Sequence, residues 1–306
     1  MHLNIFAGKG GVGKTNCAVS LALHLSGSMD IKTAVIDYDG GHSVANTLGT
    51  TTLLSRNMVC PMKKNFAIAI VENTDFVGIA EAITKKWTLK EYLAQFPGEF
   101  GLIPLTDMVN AFFGVLTDTV TLQKFATLIT LLAQLEQRGY ERVIIDVEPT
   151  AGMERLLLNV QSTARSLTNL QNQGIISLSM IGAKWPHIAG YLKGDYIKHA
   201  DKHAANIQHV ATLLTNAKYM IVSTPEASPI NQTFEVRRII EKFGGKVHGY
   251  VVNNLRGEAH EASNISRLDA EGLPVVKIGR QAGLHSGKER TPILLNMGAL
   301  IARELV

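Results

Sequence analysis

The chain has 306 residues, 46% of them hydrophobic and 18% charged, with a formal net charge of +4. That is apolar material for a sizeable core, and it excludes a disordered or collagen-like chain. The surplus cations are scattered among acidic residues, with Lys63-Lys64 and Lys85-Lys86 the densest pairs, so charge argues only weakly for anionic partners and leaves a nucleic-acid partner unexpected.

Short β-rich apolar runs recur along the chain at Leu3–Ala7, Thr33–Tyr38, Phe66–Val71, Arg142–Val147, Tyr219–Ser223, Gly249–Val252 and Pro274–Ile278. They alternate with helical stretches, the signature of βαβ units around a mostly parallel sheet. Runs as continuous as Val143-Ile144-Ile145 suit strands covered on both faces. From about residue 76 to 137, and again from about 153 to 216, the pattern is helical without a clear strand. Both stretches read as a helical subdomain inserted at one end of a single α/β domain spanning residues 1–306. Cys17 and Cys60 form no CxxC pair, which fits a reducing compartment and a fold without a disulfide framework. The N-terminal residues lack the signature of a signal peptide, and no apolar run has the length of a membrane span, so a cytoplasmic protein is expected.

The strongest motif follows the first strand: Gly8-Lys9-Gly10-Gly11-Val12-Gly13-Lys14-Thr15 carries the pattern GxxxxGK(S/T) between a strand and a helix. Glycines let the backbone wrap closely around phosphates. Successive N–H groups and the following helix N-terminus then face the anion. The segment Gly8 to Asn16 is therefore the expected nucleotide-binding segment for ATP. Lys14 is expected on the β- and γ-phosphates and Thr15 on Mg²⁺.

Two carboxylate-bearing strand ends follow. Thr33–Tyr38 leads into Asp37-Tyr38-Asp39, and the C-terminal ends of parallel strands are where doubly wound sheets bind ligands. Hydrolysis of a phosphoanhydride needs a group that orients the attacking water and a held metal ion. Asp39 is the candidate for the first role and also belongs to the expected metal set. Asp37 fits either support of the metal's water shell or a cap on the following helix. Asp146, after Val143-Ile144-Ile145, has the arrangement that holds Mg²⁺ directly or through water. Glu148-Pro149-Thr150-Ala151-Gly152 then suits a loop that changes shape when the γ-phosphate leaves.

Together these segments resemble the deviant Walker A ATPases, and within them the branch of the arsenite-pump ATPase and the guided-entry ATPase that delivers tail-anchored membrane proteins. Asp39-Gly40-Gly41-His42-Ser43-Val44 is similar to that family's first switch. Asp146 to Arg155 is similar to its second, sharing Asp146, Pro149, Thr150 and Arg155. Thr224-Pro225-Glu226 and Glu235-Val236-Arg237 resemble two further signatures. The resemblance implies that Lys9 reaches a partner chain's nucleotide across a homodimer and acts with Asp39 and Lys14 in catalysis. It places Asn253 and Asn254 where the family reads adenine, and it implies a protein client or membrane partner. Gly40-Gly41 and Gly152 depart from the family's switches, and the cysteines needed for an arsenite site or an intersubunit zinc clamp are missing.

Other readings stand beside this one: a positioning ATPase like ParA or MinD, binding DNA or membrane, or a metallocentre-maturation ATPase. His199, Asp201 and His203, with His209 further on, have spacing that can bind zinc, but a solvated helix face fits better without a second cluster. The apolar stripe Val109–Leu135 fits either core packing or a client groove. Ile293–Val306 has one cation, Arg303, and no basic face, so docking on the core is expected rather than membrane binding.

Overall fold

The computed structural model describes residues 1–39, 43–50, 57–71, 120–147, 152–154, 156–158, 208–285 and 290–306. Gly40 to His42, Glu148 to Ala151, most of the expected helical subdomain and the His199–His203 cluster lie outside these residues.

Eight strands form one sheet: β1 (His2–Gly8), β2 (Thr33–Asp37), β3 (Val59–Lys63), β4 (Phe66–Ile70), β5 (Arg142–Asp146), β6 (Lys218–Ser223), β7 (Lys246–Leu255) and β8 (Val275–Gly279). Their spatial order is β3-β4-β2-β5-β1-β6-β7-β8, and all pairings are parallel except β3 with β4. Every expected strand is present. β3 is an addition: Pro61, Lys63 and Lys64 break the apolar pattern that marks the other strands, and the edge strand is held through its antiparallel pairing to β4. β7 also begins at Lys246, three residues earlier than its apolar run suggests, because backbone pairing with β6 continues through Val247 to the exposed Lys246.

Helices cover both faces. α1 (Lys14–Ser28), α2 (Ser43–Leu48) and α6 (Arg290–Leu305) lie on one; α3 (Val120–Gln137), α4 (Ala227–Lys242) and α5 (Ala259–Asp269) lie on the other. Strand side chains divide accordingly: Leu3, Ile5, Ile36, Val143 and Ile145 join Phe125, Leu128, Leu131 and Ile230, while Phe6, Val35 and Ile144 join Leu21, Leu25 and Ile301. This alternation is the two-residue period of a strand with both faces buried.

α6 docks on α1 through Leu294, Met297, Ile301 and Leu305, in agreement with the core-docking expectation. Gly298 lets the two helices approach so closely that a Cβ there would run into the Ser20 carbonyl. The described half of the apolar stripe is core: Phe125, Leu128, Leu131, Leu132 and Leu135 are all buried. Among the described residues, no helix is long and apolar enough to cross a membrane.

Candidate phosphate and metal site

Strand order decides what meets at the site. The chain leaves β1, crosses over through α1 and returns as β2, leaving a slot that β5 fills. In register, Asp146 stands beside Phe6 of β1 on one side and beside Asp37 of β2 on the other. The two carboxylates therefore end adjacent strands at one level, next to the loop that leaves β1 at Gly8.

That loop has the backbone its glycines allow. Gly8 has φ 142°, and a Cβ there would run into the Val222 carbonyl of β6. Gly13 caps α1 at φ 94°, pressed against the Asn253 side chain. Side chains at these two positions would distort the loop or push it off the sheet. Asn253, at 9% exposure, donates from Nδ2 to the Val12 carbonyl at 3.1 Å, so its amide braces the phosphate loop. Asn254, half-buried, follows with φ 65°, a left-handed backbone that asparagine tolerates.

Lys14 Nζ lies back across the loop and donates to the Lys9 carbonyl at 3.0 Å. Burial lowers its pKa; Asp146 and Asp39 oppose that shift. The Thr15 hydroxyl donates to Asp146 Oδ2 at 2.6 Å. The other Asp146 oxygen, Oδ1, is buried and has no hydrogen-bond partner among the described residues. Burial first, and then the nearby charges of Asp37 and Asp39, push the Asp146 carboxyl up to about 7 despite the Thr15 hydrogen bond and Lys14. An orphaned buried carboxylate oxygen beside a threonine hydroxyl is an all-oxygen donor set, and it fits Mg²⁺.

Asp37 takes the capping role: Oδ2 accepts hydrogen bonds from Ser43 Oγ and the Val44 amide, both at 3.1 Å, and starts α2. Asp39 is exposed just beyond β2, with charge that reaches both Lys14 and Asp146. Asn16 accepts from the Thr47 hydroxyl at 3.3 Å, joining α1 to α2. Gly10, Gly11 and Val12 complete the loop; Gly11 has φ 80° and Val12 is buried.

Lys9 Nζ donates to Ser228 Oγ at 3.2 Å, in the first turn of α4 just after Thr224-Pro225-Glu226. That three-residue signature thus borders the loop; a Thr224 hydrogen bond holds the Glu226 carboxyl below its ordinary range. Arg237 is bound elsewhere, to Glu241 at 2.7 Å, Glu271 at 2.6 Å and the Tyr250 hydroxyl at 3.1 Å, a brace between α4, the turn after α5 and β7. His209 pairs with Glu136 at 3.0 Å, and among the described residues no group of three metal-ligating side chains is present.

Sequence reasoning does not single out two side chains at the site, Ser228 and Lys124. Ser228 belongs to no motif. Lys124 is detectable only as a cation on the apolar face of α3, in line with Leu128 and Leu131 at helical spacing.

A parallel sheet with a glycine-rich loop after β1, a lysine and threonine opening α1, and a partnering aspartate at the end of the adjacent strand defines a P-loop ATPase. Residues 1–271 match the model of the anion-transporting ATPase family (ArsA ATPase), and the chain belongs to that family. It is similar to the ATPase GET3C of Arabidopsis thaliana, at 23% identity over 82% of this chain and 66% of that protein. It is similar to a putative arsenical pump-driving ATPase 2 of Aquifex aeolicus, at 23% identity over 84% of this chain and 81% of that protein. The ATPase asna-1 of Caenorhabditis elegans is 24% identical over 81% of this chain and 72% of its own length. The chain thus spans just under two thirds of the plant relative.

Proposed function

We propose that the protein is a Mg-ATP-dependent ATPase that closes as a homodimer over nucleotide and couples hydrolysis to a change in its helical subdomain, serving a protein client or membrane partner. The observation that carries the nucleotide chemistry is the Thr15–Asp146 contact of 2.6 Å, with the second Asp146 oxygen buried and unpartnered among the described residues, beside Lys14. When bound, Mg²⁺ neutralises charge on the phosphates and organises their oxygens. Thr15 and Asp146 would hold it. The loop amides from Gly8 to Asn16 cradle the phosphates, and Lys14 turns from the Lys9 carbonyl to the β- and γ-phosphates. Asp39, exposed and close enough for its charge to act on both Lys14 and Asp146, orients the attacking water. Asn253 keeps the loop shaped while Asn254 faces the base.

Lys9 acts in trans. A chain with one phosphate loop supplies one Lys9, and in the single chain its ammonium is parked on Ser228, beside the signature that opens α4. Release from Ser228 and delivery to a second chain's nucleotide accounts for a lysine that sits in the loop without being its phosphate lysine. Charge supplied this way accelerates phosphoryl transfer as arginine fingers do, by about three to five decades. α6 itself is packed in the core and is not free to lie on a membrane.

Asp39→Asn tests the assignment. It is expected to bind Mg-ATP with unchanged affinity and form the ATP-dependent dimer in sedimentation experiments, while turnover falls by about 10² or more. Turnover near that of the unmodified protein would overturn the role of Asp39; a sedimentation profile indifferent to ATP would overturn dimer closure.

A further inference from the structure

Lysine is among the residues least often buried, because removing an ammonium from water is costly unless acceptors replace the lost hydration. Lys124 is only 8% exposed. It sits on the face of α3 that carries Phe125, Leu128, Leu131 and Leu135, all packed against the sheet. Its ammonium is directed at the end of β2: Nζ donates to the Asp39 carbonyl at 3.4 Å and lies 5.9 Å from the centre of the Tyr38 ring. The backbone it grips belongs to Asp39 itself. A hydrophobic residue at this position would pack equally well against the sheet and would leave the Asp39 carbonyl without this donor.

We propose that Lys124 is a positioning residue for Asp39: by binding the Asp39 main chain it sets where the carboxylate stands, and it makes that position depend on α3. This rests on the reading of Asp39 as the group that orients water. α3 is fixed to the sheet by Phe125, Leu128, Leu131, Leu132 and Leu135, so Lys124 is carried on a rigid element. Misplacement of a reacting group by about 1 Å is enough to cost about a hundredfold in rate, so removing the donor that holds the Asp39 main chain is enough to slow hydrolysis. Lys124 in this way acts on hydrolysis through the main chain of Asp39.

The test compares Lys124→Met, which keeps the apolar stem and removes the ammonium, with Asp39→Asn and with the double variant. ATP affinity by calorimetry, kcat, KM and melting temperature are measured for each. Lys124→Met is expected to bind ATP within about twofold of the unmodified protein and keep KM, while kcat falls by about 10- to 100-fold. The double variant is expected to be no slower than Asp39→Asn alone, because both changes disable one unit. A merely structural lysine would lower the melting temperature and leave this non-additivity absent. If Lys124→Met unfolds, Lys124→Gln, whose polar tip is too short to span the same distance, replaces it in the same comparison. Unchanged kcat in a folded variant overturns the proposal, as does a double variant slowed by the product of the two single effects. Full turnover by Asp39→Asn, seen in the single variant alone, overturns the Asp39 reading and the proposal with it.

Discussion

Lys14 is held between opposing influences: burial disfavours its charge, while Asp146 and Asp39 favour it. Its ammonium already satisfies itself on the Lys9 carbonyl, so the exchange to a phosphate oxygen replaces a neutral acceptor with a charged one. Lys14→Ala is expected to weaken ATP binding by about a hundredfold, a loss of the size measured for hydrogen bonds to charged groups, and calorimetric titration reads it. The cysteines give a second test at this scale. Cys17 is buried behind the phosphate loop and burial pushes its thiol up to about 12, so at neutral pH it stays protonated and unreactive. Cys60 is partly exposed on β3. A maleimide is expected to label Cys60 alone in the native protein and both cysteines in denaturant, with mass spectrometry locating the label; rapid native labelling of Cys17 would contradict the packing of α1 on the sheet. The loop residues were legible in the sequence because phosphate binding constrains spacing as well as residue type. The pairing of Asp37 with α2 was legible only as one of two options, since a carboxylate at a strand end suits a cap and a metal shell equally. The resemblance places Asn253 at the base, whereas its hydrogen bond to the Val12 carbonyl depends on β7 lying beside the loop, which spacing along the chain does not show.

At the scale of elements, strands buried on both faces announced themselves as apolar runs, and each lies where those runs stand. β3 did not, because an edge strand held mainly by backbone pairing to β4 needs no apolar pattern and tolerates Pro61 and Lys63. The docking of α6 was readable from its lack of a basic face, but its closeness to α1 was not. Gly298 decides it. Alanine there gains about 1 kcal/mol of helix propensity, yet its methyl would meet the Ser20 carbonyl, a backbone atom that cannot swing aside. Overpacking of this kind costs about 1–3 kcal/mol, so Gly298→Ala is expected to lower the melting temperature by several degrees. An unchanged or raised melting temperature would show that α1 and α6 have slack. Lys124 belongs to this scale as well: its meaning lies in α3 presenting a cation to β2, which residue spacing along the helix marks only as an irregularity.

For the whole molecule, we propose that two copies complete each other's sites. The described residues provide one phosphate loop, leaving β1, on which Asp39 and Asp146 from two adjacent strand ends and Lys14 and Thr15 from α1 converge. Lys9 stands outside that convergence, bound to Ser228. The direct measurement mixes Lys9→Ala chains with Asp39→Asn chains, each expected to be inactive alone, and follows phosphate release while mixed dimers are verified by differential tagging. If Lys9 works in trans, a mixed dimer has one site with an intact Asp39 and the partner's intact Lys9. At equal mixing with random assortment, about a quarter of all sites are then complete, and turnover per chain is expected to return to about a quarter of the unmodified value. If Lys9 serves its own chain, every site lacks one essential group. Verified mixed dimers that release no phosphate above either parent would contradict the account.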